Sequence, residues 1–95
     1  MSQIAAINVE VGDTVENITT CLVSVIVGDN ETDFTVTVDD TYHKKIDAKS
    51  SVKELVKKSF EFLLDREPPE QILKFFSLSQ IETYFPTYPI EIKNY

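Results

Sequence analysis

Hydrophobic positions along this chain change their period part-way. Before residue 40 they recur every second residue, and after residue 51 every third or fourth. Residues 4–11 end in alternation, with Ile7, Val9 and Val11 on one side and Asn8 and Glu10 on the other, as in a half-buried strand. Gly12-Asp13 reads as a turn. Residues 18–27 are β-branched almost throughout and suit a central strand. Residues 28–33 carry turn residues, and Phe34–Val38 alternates again. The pattern predicts a hairpin of 18–28 with 33–39, extended by the first strand to a three-stranded antiparallel meander.

The second half reads as helices. Asp39 or Asp40 can cap a short helix over Thr41–Ile46. Ser51 and Glu54 have capping-box spacing and open the main helix, 51–65. Val52, Leu55, Val56, Ser59, Phe60 and Leu63 form one face, with Phe60 in the core. Phe62 and Leu64 flank that face and widen the apolar arc to roughly 200°. Pro68 requires the helix to stop near Glu67. Pro68–Phe76 then reads as a second short helix, and Leu78–Phe85, opened by Ser77 and Gln80, as a third. Residues 87–95 alternate at Ile90 and Ile92 and read as an edge strand or a loose tail. The expected class is α+β in one domain over 1–95: a three-stranded antiparallel meander, a main α-helix and two short helices.

Charge sharpens this division. Net charge is −7, and residues 1–40 hold eight acids with no Lys or Arg. Residues 43–58 hold six lysines against Asp47 and Glu54. The first block repels phosphate and anionic lipid; the second can attract them. No apolar run approaches the ~18 residues of a membrane span. The first six residues have neither a basic region nor a long apolar stretch, so no secretory signal and a cytoplasmic setting are expected. Cys21 is the only cysteine, which fits a buried strand residue in a reducing compartment.

Thr35–Tyr42, then Ser59-Phe-Glu-Phe-Leu-Leu-Asp-Arg-Glu-Pro68, Ile72-Leu73, Ile81 and Tyr84-Phe-Pro-Thr-Tyr88 resemble a group of small uncharacterised prokaryotic proteins. In that group a strand with an acidic end leads to an S-F-x-F-L-L-x-R-E-P helix and a Y-F-P-x-Y close. The resemblance spans roughly residues 34–90. It implies a small cytoplasmic prokaryotic protein and brings no catalytic residues with it.

Motifs for catalysis or cofactor binding are not found. His43 stands between Tyr42 and two lysines, with no metal-ligand spacing, and reads as a solvated side chain. Two glycines, Gly12 and Gly28, make no phosphate-cradling loop. The oxygen-rich run Asp29–Asp33 lacks the glycine and distal glutamate of a calcium loop. Asp39-Asp40 is explained by helix capping. No enzyme, cofactor or metal is therefore expected. The wide apolar arc and the aromatic-rich end point instead to a protein-interaction module that self-associates as a homodimer. Phe62, Leu64, Arg66, Tyr84 and Tyr88 are its candidate contacts. For Arg66, beside Glu67, the first reading is a salt bridge that locks the kink before Pro68, and partner contact is the alternative. The second reading is a nucleic-acid-binding regulator of ribbon-helix-helix type, using Thr35 and Thr37 on the strand and Lys44, Lys45, Lys49 and Lys53 toward phosphate.

Overall fold

A computed structural model describes residues 5–95; the beginning of the first predicted strand, at Ile4, lies outside them. The fold is α+β, with helices on one side of a four-stranded mixed sheet in the order β1-β2-β3-β4. Strands β1 (Ala6–Val15), β2 (Ile18–Val27) and β3 (Asn30–Asp39) form the antiparallel meander. Strand β4 (Phe75–Ser77) adds to β3 in parallel, and the expected count of three was one short.

Both hairpin turns are tighter than the sequence suggests. Gly12-Asp13 is no turn: β1 runs through it, and the register slips between Val11 and Thr14. The chain reverses instead at Glu16-Asn17, both with positive φ as a type I′ turn requires. The second hairpin closes on Gly28-Asp29 alone, with Gly28 at φ 61°, so residues 30–33 already belong to β3.

Helix α1 (Asp40–Asp47) is capped by Asp39, whose carboxylate accepts from the Thr41 and Tyr42 amides. Helix α2 (Val52–Leu64) starts with the predicted capping box, made reciprocally by Ser51 and Glu54. Lys58 binds Asp47 at 2.7 Å and also donates to Ser50, which ties the α1–α2 connection to the second turn of α2. In the core, Val9, Cys21, Val23, Val25, Phe34, Val36 and Val38 meet Leu55, Val56, Phe60 and Leu63 of α2. The Phe60 ring, fully buried, sits 5.0 Å from Phe34 and 6.0 Å from Phe76.

The remainder departs from the predicted helices. Pro68–Phe76 is not a helix but a single 3-10 turn, Pro69–Gln71, followed by β4. Ile72 already has extended backbone, and the β3 edge needs partners for its peptide groups. The Thr35 amide finds one in the Lys74 carbonyl. The predicted Leu78–Phe85 helix is shorter, a 3-10 turn over Leu78–Gln80 running into helix α3 (Ile81–Tyr84). Residues 87–95 are no edge strand: they form helix α4 (Tyr88–Glu91) and a 3-10 turn, Ile92–Asn94. Tyr88 and Ile92, four apart, are both fully buried, whereas Ile90 faces solvent. The helical spacing of that pair outweighs the short alternation of Ile90 and Ile92.

Candidate protein-interaction surface

The five residues singled out on the helical half do not form one surface. Phe62 is fully buried, its ring packed against Phe85, Tyr88 and Tyr95 at 5.8, 5.2 and 5.8 Å. Tyr88 is equally buried, and its hydroxyl is 2.6 Å from Ser59 Oγ, which also donates to the Leu55 carbonyl. Burial holds the Tyr88 hydroxyl protonated well above the ordinary tyrosine range. Neither side chain presents itself to a partner. Leu64 is half-buried beside Ala5 and Ile7.

Arg66 is committed within the chain. Its guanidinium lies 3.6 Å above the Phe62 ring, donates to the Phe62 carbonyl and pairs with Glu91 at 2.9 Å. Glu91, not the expected Glu67, is its ion-pair partner, so Arg66 fastens α4 to the end of α2. The Tyr95 hydroxyl joins by donating to Asp65. Of the five, only Tyr84 is a freely exposed large apolar group, at 64%. It rims a small groove of about 160 Å³ with Leu63, Ile72, Leu73, Phe76 and Phe85. The wide apolar arc of α2 is thus covered by its own sheet and its own C-terminal segment.

Exposed apolar groups also stand on the sheet. All the described helices lie on one side of the sheet, and among the described residues nothing covers its other face. Register fixes what that face shows. Glu10, Leu22, Thr35 and Phe75 stand side by side on the four strands, and Asn8, Ser24 and Asp33 form the next row. Leu22 is 53% exposed and Phe75 69%. Thr37 donates to Ser77 across β3 and β4 on the same face. Sequence reasoning missed Leu22 and Phe75. A signal was present: even positions of β2 (Thr20, Leu22, Ser24) are more polar than odd ones (Cys21, Val23, Val25), and adjacent Phe75 and Phe76 cannot both face the core of one strand.

The lysines lie on the helical side. Lys44 pairs with Asp40 at 3.1 Å; Lys45, Lys49 and Lys53 are exposed and enter no ion pair among the described residues. His43 is not simply solvated, since its Nε2–H donates to the Ser50 carbonyl. No cluster of His, Cys, Asp and Glu able to hold a metal ion occurs among the described residues, and none of the described helices is long and apolar enough to cross a membrane. No protein-family model, curated protein or solved structure matches the chain.

Proposed function

We propose that this chain is a non-enzymatic protein-interaction module that works through the bare face of its sheet. The observation that carries the reading is the exposure of Leu22 and Phe75 on a sheet covered on one side only. Leu22 and Phe75 flank Thr35 in one row, and exposed apolar groups on an open sheet face support an association site. The resemblance to small prokaryotic proteins supports a cytoplasmic setting for it.

Self-association is part of this proposal, with its contact moved from the helical half to the sheet. A two-fold pairing of bare faces buries Leu22 and Phe75 but sets Glu10, Glu31 and Asp33 against their copies. Such a homodimer needs its carboxylates screened. Sedimentation velocity at micromolar concentration is the test, from about 0.05 M to about 0.5 M salt. A 10.8 kDa monomer should predominate at low salt and a dimer as salt rises, and the dimer should vanish in a Leu22→Ser/Phe75→Ser variant. A dimer indifferent to that variant would remove the bare face from the account.

The ribbon-helix-helix reading is less well supported. Its ribbon strand, β3, is paired on both edges, by β2 and β4, and cannot join a second copy. At the start of α2 the Ser51 and Glu54 amides are taken by its own capping box, and the Glu54 carboxylate stands where a phosphate would bind.

A further inference from the structure

We propose that the bare face binds a cationic, partly apolar segment of another protein, with lysine or arginine side chains entering a depression between β1, β2 and β3. This rests on the reading of that face as an interaction surface and adds the chemistry of its occupant. The depression measures about 450 Å³ and is lined by Asn8, Glu10, Leu22, Ser24, Glu31 and Asp33 among others. Its charged lining groups are all carboxylates. No Lys or Arg occurs anywhere in residues 1–40, and none of the three acids enters an ion pair among the described residues. Among the described residues Ser24 alone assists, donating to Glu31 at 2.6 Å.

Three uncompensated carboxylates on one face give a negative field that attracts cations and repels acids. Their arrangement selects among cations. Glu10 stands on β1 and Asp33 and Glu31 on β3, two strands away and one and two rows farther along, so Glu10 is roughly 12 Å from Asp33 and roughly 16 Å from Glu31 along the backbone frame. Carboxylates so spread do not converge on a metal ion, which needs its oxygens at about 2.0–2.6 Å. A long side chain with a charged end suits them better. Its methylene stem can lie along Leu22, and its head can reach a carboxylate in solvent. The exposed ring of Phe75, in the same row as Leu22, adds apolar contact and a face for a second cation.

At low salt, where the carboxylates are unscreened, a second copy is the poorer occupant. Its bare face then repels this one, carboxylate against carboxylate, and its lysines lie on the helical side. Charge complementarity therefore favours a different, basic protein.

The test titrates the isotope-labelled full chain with two synthetic ten-residue peptides and follows backbone amide shifts. One alternates lysine with leucine and the other glutamate with leucine. The lysine peptide should shift the amides around Glu10, Leu22 and Asp33. Its affinity should fall roughly tenfold in Glu31→Gln/Asp33→Asn, and roughly tenfold again in Leu22→Ser. It should also fall as salt rises from about 0.05 M to about 0.5 M. These positions are exposed, so unchanged melting temperatures confirm that each variant folds. Lysine-peptide binding that ignores these substitutions, or shifts confined to the groove at Ile72 and Tyr84, would overturn the proposal. Equal binding of the glutamate peptide at the bare face would overturn it too, while leaving that face an interaction surface. If neither peptide shifts the face and the chain stays monomeric at all salt concentrations, both readings fail.

Discussion

A methyl group built on Gly12 would lie 2.7 Å from the Thr20 carbonyl oxygen. That oxygen is backbone of the neighbouring strand and cannot swing aside, so glycine is required here by close approach rather than by a turn. The sequence shows a glycine beside an aspartate, the usual spelling of a reversal, and the bulge within β1 is indistinguishable from one at that level. The actual reversal is spelled Glu16-Asn17, where a glutamate at positive φ gives no signal in advance. Gly12→Ala should destabilise the fold by about 1–3 kcal/mol, as forced contacts do in packed structure. The urea midpoint should drop with little change in slope; an unchanged midpoint would mean that the strand moves aside freely. Cys21 behaves as expected from its strand position: it is fully buried, and burial pushes its thiol above the ordinary range.

Among the elements, α2 was the most legible, because its capping box and its apolar face are both local patterns. Segment 68–77 was the least. Its proline pair permits one helical turn, but the free edge of β3, forty residues earlier in the chain, decides that Phe75–Ser77 becomes strand. No local window contains that partner. The same limit applied to Arg66, whose partner Glu91 is remote in sequence. The α1–α2 junction yields a pH dependence. Hydrogen bonds from Lys58, and then from Ser50, hold the Asp47 carboxyl below its ordinary value. A group with a depressed folded pKa stabilises fully above its unfolded value, near 3.9, and loses that contribution as pH falls through the folded one. Both side chains are largely shielded from solvent, so the pair is not an exposed surface bridge. Lys58→Met should therefore be less stable than the parent at pH 6, and the gap should shrink by pH 3. Urea midpoints at the two values measure it; a gap that grows in acid would reverse the assignment.

At the scale of the whole molecule, the change from period 2 to period 3.6 did mark the division between sheet and helices, and with it the α+β class. The split of charge followed the same line, placing carboxylates on the bare face and lysines on the helical side. Which face stays open was not legible. The apolar arc of α2 looked too wide to cover, because, of the C-terminal residues that cover it, Phe85 read as the end of a third helix, and Tyr88 and Tyr95 as part of an edge strand or a loose tail. Once they fold back onto Phe62, the arc of α2 is closed, and Leu22 and Phe75 on the open sheet face stand among the exposed apolar groups, with Tyr84 and Ile90 on the helical side. Covalent footprinting with hydroxyl radicals on dilute protein tests this most directly. The account predicts rapid modification of Leu22, Phe75 and Tyr84, with Phe60, Phe62 and Tyr88 protected. Modification of Phe62 or Tyr88 at the rate of Phe75, or protection of Leu22 and Phe75 in the dilute monomer, would contradict it.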